Sequence, residues 1–148
     1  MPVKLQPPII REFTLADIDA KYDNDGSPTL ITVRQATRGN MDARADRANL
    51  MTQVFDSVSP TQSWFRDFTT IRSLNKYEVY LTLAKCNILD FDGTPLFKFK
   101  EERNRSSLDM TEAQFSVAWA TLEDDIADAI IACVHEVNIG WSKPGESN

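Results

Sequence analysis

His135 is the single histidine of the chain, and histidine is the side chain best suited to acid–base chemistry near neutral pH. A base that drives hydrolysis or group transfer needs a nucleophile beside it. The sequence neighbours of His135 are Val134 and Glu136, close to the end of a predicted helix. A structural role, or a favourable charge at the carboxyl end of that helix, is the simpler interpretation. The sequence therefore predicts a protein that is not an enzyme.

Metal ions are commonly bound by cysteine and histidine, and the chain contains Cys86, Cys133 and His135. No CxxC or HxxxH spacing supports such a site, and a buried cysteine commonly acts as a small apolar side chain. We therefore predict no metal site and two reduced thiols.

Asp23-Asn24-Asp25-Gly26 is similar to the middle of an EF-hand calcium loop when Gly26 is aligned with its invariant glycine. The first and last ligand positions would then be Lys21 and Thr32, which carry no carboxylate. A plain turn is the better interpretation. Because neither GxxxxGK[ST] nor GxGxxG occurs, no cofactor is predicted.

The one local basic cluster follows a predicted strand and interleaves with Asp42 and Asp46; its members are Arg34, Arg38, Arg44 and Arg47. Such a cluster is commonly a solvated face. The alternative is a surface that accepts an acidic peptide or helix, because arginine is favoured in interface contacts.

Five aromatic side chains provide a second set of candidates: Trp64, Phe65, Phe68, Trp119 and Trp141. Residues of this kind more often lie in the core than on a ligand platform. Three tryptophans in a small chain without a catalytic set nevertheless fit a peptide-binding groove. Binding is therefore favoured over catalysis, and the candidate partner-binding residues are Arg34, Arg38, Arg44, Arg47, Trp64, Phe65, Phe68 and Trp141.

The composition is that of an ordinary globular domain, with 148 residues, 42% of them hydrophobic, and a net charge of −6. The negative charge argues against nucleic acid and anionic membranes as partners. No stretch reaches the length of an apolar membrane span, and residues 1–12 lack the apolar core of a signal peptide. We expect a soluble, intracellular protein.

The net charge is unevenly placed along the chain. Residues 1–105 carry 15 basic and 14 acidic side chains, whereas residues 106–148 carry Lys143 against eight acids. This asymmetry predicts an acidic helical end and a more basic end that contains the β structure, a basis for head-to-tail self-association into a homo-oligomer.

Periodicity and turn signals predict one α+β domain, mainly helical, over residues 13–141, preceded by an extended arm (1–12) and followed by a flexible tail (142–148). Four to five helices and a small antiparallel β element are expected. Helices are predicted near 41–56, over 74–88 and over 122–138, with two further helices that start at 59 and at 111 and a helical turn within 14–20. A strand is predicted over 29–33, a β-hairpin over 88–99 and a loop over 100–107.

Three helix starts are predicted from capping residues. Asn40 is expected to cap the helix near 41–56, and the patterns that begin at Thr111 and Thr121 each place a Gln or an acid three residues later. Met110 and Phe115 flank the Thr111 pattern as a hydrophobic staple. In the predicted hairpin, Asp92-Gly93 is typical of a two-residue turn.

Three pieces of the chain, taken in the order in which they occur, resemble the tail assembly chaperones of long-tailed, siphovirus-type bacteriophages. They are Ile31–Arg34 followed by a charged helix, the stretch Ile88–Phe97 with its D-x-D-G-x-P-L-F pattern, and the terminal helix that runs into Glu136–Trp141. Together they cover residues 30–148 loosely.

The resemblance implies a non-enzymatic protein of the host cytoplasm that works without a cofactor. Its implied partners are the tape measure protein, which it would keep soluble, and the major tail tube protein, which it would recruit. The alternative is a small structural virion protein, such as a head–tail connector or a tail-completion subunit, with the proline-rich arm and the tail as docking extensions. A small enzyme is the third interpretation.

Overall fold

In this computed structural model, the described residues are 2–22, 28–58, 63–102 and 105–141, without the side chains of 52–58 and 63–70. Short 3-10 turns lie at Ala20–Tyr22 and Ile139–Trp141. The predicted class, a mainly helical α+β fold with a small antiparallel β element, is confirmed. The elements are β1 (Ile10–Thr14), α1 (Leu15–Ile18), β2 (Leu30–Arg34), α2 (Arg38–Val58), α3 (Ser63–Thr82), β3 (Leu83–Cys86), β4 (Phe99–Glu102), β5 (Arg105–Leu108), α4 (Glu112–Trp119) and α5 (Asp124–Val137).

The first sheet is antiparallel, with β2 between β1 and β3. Side chains alternate between the two faces of a strand, and Ile31 and Val33 of β2 are completely buried on one face. The predicted strand over 29–33 is confirmed as β2. Strand β1 was not predicted; it begins at Ile10, inside the stretch expected to be an extended arm.

Helix α5, predicted over 122–138, packs one apolar face against β2. Ala129, Ile130, Cys133 and Val134 are buried on this face. The predicted cap at Thr121 is wrong. Glu123 is the N-cap residue and makes no side-chain cap hydrogen bond, whereas the Thr121 hydroxyl donates to the carbonyl of Ala118 at the end of α4.

Helix α2 is longer than predicted and begins at Arg38 instead of residue 41. The Thr37 hydroxyl accepts from the backbone N–H of Asn40 at 3.1 Å, and the Asn40 side-chain oxygen accepts from the N–H of Thr37 at 3.0 Å. Asn40 is therefore the reciprocal partner of Thr37 in the cap and not the cap residue itself.

Helix α3 runs directly into β3, so the helix predicted over 74–88 is corrected to end at Thr82. Leu83 and Ala84 are buried, and β3 pairs with β2. Pairing with a central strand overrides the helical periodicity that continues through Ala84. The predicted cap at 59–62 lies outside the described residues, and the two helices predicted around 64–68 and from 74 are one helix.

The chain around Asp92-Gly93 turns back on itself, but its pairing is limited to a bridge between Leu89 and Pro95. The N–H of Gly93 donates to the Asp90 carbonyl, and the N–H of Asp90 donates to Thr94. Gly93 has φ +85°, a left-handed value that suits glycine. This pattern is that of a three-residue loop instead of the predicted two-residue turn.

The predicted loop over 100–107 is wrong, because β4 and β5 form a second, two-stranded antiparallel sheet there. Phe99 pairs with Leu108 at its base, and both side chains pack against the core. Two apolar residues that flank a polar stretch therefore anchor a hairpin whose outer part is exposed.

Helix α4 begins as predicted, with a capping box in which Thr111 and Gln114 bond reciprocally. Phe115 is fully buried and lies at ring-centroid distances of 5.5 Å from Tyr80, 5.6 Å from Phe97 and 5.7 Å from Trp119. This aromatic cluster joins α3, α4 and the segment before β4.

None of the helices in the described ranges is both long and apolar enough to cross a membrane. The predicted turn at 23–26 and the predicted tail at 142–148 lie outside the described residues.

Candidate functional site

Glu78 is a completely buried carboxylate that joins two of the sequence candidates. Nε of Arg44 on α2 donates to Glu78 Oε2 at 2.5 Å, and Nε2 of His135 on α5 lies 2.7 Å from Glu78 Oε1. Only about a sixth of each partner side chain is exposed. Because each carboxylate oxygen has a partner, burial of Glu78 is compensated.

The partner of His135 is therefore Glu78, which the sequence analysis missed because the two lie 57 positions apart. One signal was present in the sequence: Glu78 stands four residues after Leu74, which places both side chains on the same face of a helix. The pair fixes α5 against α3, consistent with the structural role expected for His135.

Arg47 makes a bidentate ion pair. Its guanidinium donates to both carboxylate oxygens of Glu112, each at 2.7 Å, and lies 3.9 Å from the ring centroid of Tyr77. Its hydrogen bond to Glu112 raises the pKa of Arg47, and the same bond lowers the pKa of Glu112. Arg47 thereby ties α2 to the start of α4.

Arg34 and Arg38 differ in their surroundings. Arg34 donates to the Asn40 side chain at 3.1 Å and to the Leu81 carbonyl at 2.6 Å. Arg38 is exposed and lies 3.5 Å from Asp42, one turn along α2. Of the four predicted arginines, Arg38 is thus the most available to a partner.

Asn138, a second residue missed by the sequence analysis, closes the carboxyl end of α5. Its side-chain oxygen accepts from the N–H of Ala36 at 2.7 Å, and its amide donates to the carbonyls of Arg34 and Val134. A buried amide that bonds three backbone groups fixes the segment after α5 against the β2–α2 connection.

The candidate aromatic residues fall into two groups. Trp141 is buried, and the guanidinium of Arg44 lies 5.3 Å from its ring centroid. Trp64, Phe65 and Phe68 lie in α3, but their side chains are outside the described part of the chain. The structure therefore brings Arg44 and Trp141 together.

A groove of about 210 Å³ is lined by Trp141 and lies between the first turn of α2 and the 3-10 turn Ile139–Trp141. Ile139 is 72% exposed and Met41 is 47% exposed, while Trp141 is buried and in contact with Arg44. A side chain added at Gly140 would meet open space. The lining residues are Gln35, Met41, Val137, Asn138, Ile139, Gly140 and Trp141.

The groove is mostly apolar, and Arg38 lies three residues before Met41 on the same helix, so a cation stands close to its rim. This combination of exposed apolar side chains, a fixed aromatic residue and a neighbouring cation suits an amphipathic helix with acidic residues. We call it the α2 groove.

The two cysteines are free and buried. Burial raises the pKa of Cys86 to about 11 and the pKa of Cys133 to about 12. Among the described residues, no group of three or more His, Cys, Asp or Glu is arranged to hold a metal ion.

The charge asymmetry of the sequence does not separate into two ends of the folded protein. Acids of the C-terminal segment pair with bases from the first half: Glu136 with Arg11, Asp125 with Lys21, and Glu112 with Arg47. The expected acidic end opposite a basic end is therefore corrected, because the fold lays one segment over the other.

Comparison of the chain with protein-family models, with curated proteins and with solved structures gives no match. The contacts within the fold and the α2 groove are therefore the basis of the functional proposal.

Proposed function

We propose that the protein is a non-enzymatic tail assembly chaperone of a siphovirus-type bacteriophage, which binds the tape measure protein and helps to recruit tail tube subunits. In this proposal it acts in the host cytoplasm, without cofactor, nucleic acid or membrane. The proposal combines the sequence resemblance over residues 30–148 with one structural observation, the α2 groove.

The α2 groove supports binding because its exposed apolar residues stand on a rigid base. Trp141 packs against Arg44, and Arg44 is held by the buried Glu78. Asn138 fixes the backbone that leads into Ile139. A preorganised apolar surface loses little conformational entropy when a helix docks on it.

Co-expression with the tape measure protein of the same phage tests the proposal. We expect the native chain to raise the soluble yield of the tape measure protein, and Gly140→Gln to abolish this effect because the added side chain obstructs the groove. Ile139→Ser should weaken it. Val117→Ser is the matched control, since Val117 is also 72% exposed but lies on α4.

The contrary result is a soluble yield that does not change on co-expression with the native chain. If Ile139→Ser and Val117→Ser reduced the soluble yield equally, the chaperone function would stand, but its binding surface would lie outside the α2 groove.

The alternative proposal is a structural virion protein, such as a connector or tail-completion subunit, favoured by the proline-containing arm before β1. Mass spectrometry of purified particles separates the two proposals. Stoichiometric presence in mature virions would overturn the chaperone proposal, whereas absence from virions would overturn the structural one.

A further inference from the structure

A cleft of about 360 Å³ lies between the first sheet and the β4–β5 hairpin, and its lining residues differ from those of the α2 groove. Two arginines line it, Arg34 at the end of β2 and Arg105 at the start of β5. The remaining lining residues are Ile10, Glu102, Ser106 and Ser107. Two cations therefore line a cleft to which the described residues contribute one carboxylate.

The guanidinium of Arg34 is fixed but not neutralised by the described part of the chain. Its two recorded hydrogen bonds go to neutral acceptors, the Asn40 side chain and the Leu81 carbonyl. A guanidinium has five N–H donors, so these bonds orient the group and leave further donors for a ligand. Burial, and then the positive charge of Arg105, lower the pKa of Arg34.

Glu102, the acid that lines the cleft, stands opposite Arg105 in the β4–β5 register but forms its recorded ion pair elsewhere. It is exposed and lies 3.8 Å from the ammonium group of Lys100 on its own strand. Among the described residues, no carboxylate lies within 4 Å of the guanidinium groups of Arg34 or Arg105. Both cations are therefore available to an anion that enters the cleft.

We propose that this cleft is an anion-binding site that takes a small oxyanion, phosphate or carboxylate, between Arg34 and Arg105, with Ser106 and Ser107 as further polar neighbours. The arginine fork is the protein group best matched to two oxygens of such an anion. The ligand replaces a repulsive contact between two cations with two attractive ones. The lining of the cleft does not include Met41 or the Ile139–Trp141 turn, so anion binding can be tested separately from the proposed chaperone function.

Titration of the full chain with inorganic phosphate, in a buffer kept at constant ionic strength with sodium chloride, tests the proposal. We expect the melting temperature to rise with phosphate concentration, and the backbone amide signals of Ser106 and Ser107 to shift in NMR spectra. Sodium acetate in a parallel titration distinguishes the two ligand classes. A response to either anion beyond that to chloride supports the site, and no response to either overturns it.

Arg105→Gln is the decisive variant, because Arg105 is exposed and its loss should leave the fold intact. We expect at least a tenfold weaker affinity for the anion, while the variant without anion melts no lower than the native chain, since a repulsive charge is gone. Arg38→Gln removes an exposed arginine elsewhere and should leave the affinity unchanged. Equal affinities in the native chain and Arg105→Gln would overturn the assignment.

Discussion

Glu78 connects three helices through its two carboxylate oxygens. It stands on α3, and its partners are Arg44 on α2 and His135 on α5. A buried carboxylate is costly unless it is fully paired, so each partner stabilises the other contact. The same network supports Trp141 and hence the base of the α2 groove.

Glu78→Gln should lower the free energy of unfolding by about 3 kcal/mol, because Arg44 and His135 lose the carboxylate that they share while the volume is nearly unchanged. Denaturant titration followed by circular dichroism measures the loss. Arg38→Gln, which removes an exposed arginine, should change stability by less than about 0.5 kcal/mol. If Glu78→Gln lost no more stability than Arg38→Gln, the buried network would add nothing to stability.

The residues of this network show where sequence reasoning stops. Arg44, His135 and Trp141 were all singled out from the sequence. Their shared neighbour Glu78 was not, because it lies 34 positions from Arg44 and 57 from His135. Charge and residue type are local properties, whereas pairing across helices depends on how those helices pack.

Two similar capping patterns, at Thr111 and Thr121, have different outcomes at the scale of the elements. Thr111 caps α4, whereas the backbone N–H of Thr121 bonds to Ala118, so Thr121 belongs to the end of α4. Glu123 then begins α5. A cap motif can act only where the preceding helix has already ended.

Thr111→Ala should lower the free energy of unfolding by about 1 kcal/mol, the usual contribution of a side-chain N-cap. Gln114→Ala removes the reciprocal bond, and the double variant should lose less than the sum of the two single losses. Denaturant titration of the native chain, the two single variants and the double variant gives the coupling energy between the two side chains. Strictly additive losses would contradict a cooperative capping box.

The strands were harder to predict than the helices. Helices α2, α4 and α5 follow from local spacing, α4 also from its predicted cap, and β2 follows from its β-branched residues. Strands β1 and β3 form because both pair with β2, and β3 in particular carries a spacing compatible with a helix. Strand pairing is a contact between distant segments, so the local sequence does not encode it.

At the scale of the whole molecule, ion pairs connect the acidic C-terminal segment to the first half of the chain. Three of these acids, Glu112, Asp125 and Glu136, pair with Arg47, Lys21 and Arg11. The pairs with Lys21 and Arg11 are exposed and contribute little alone. Arg47 with Glu112 is bidentate and more protected from solvent.

The Arg47–Glu112 pair predicts a pH dependence of stability. Because Arg47 lowers the pKa of Glu112 below its ordinary value of 4.5, the stabilisation is present above pH 4.5 and is lost as the pH falls through the lower, folded-state pKa. Melting temperatures measured between pH 7 and pH 3 should fall less steeply in Glu112→Gln than in the native chain.

Asp128→Asn is the control for this measurement, since Asp128 is exposed on α5. The acid-induced fall of its melting temperature should match that of the native chain. If the melting temperature of Glu112→Gln fell with pH as steeply as that of the native chain, the ion pair would not contribute to acid sensitivity.

The position of α5 across β2 has a consequence for the order of events during synthesis. Ile31 and Val33 are synthesised well before the helix that covers them, which begins at Asp124. The growing chain therefore carries an uncovered apolar sheet face until α5 has been made. Folding of this domain is completed only after translation has passed α5, and a nascent chain stalled before that point would be prone to aggregation.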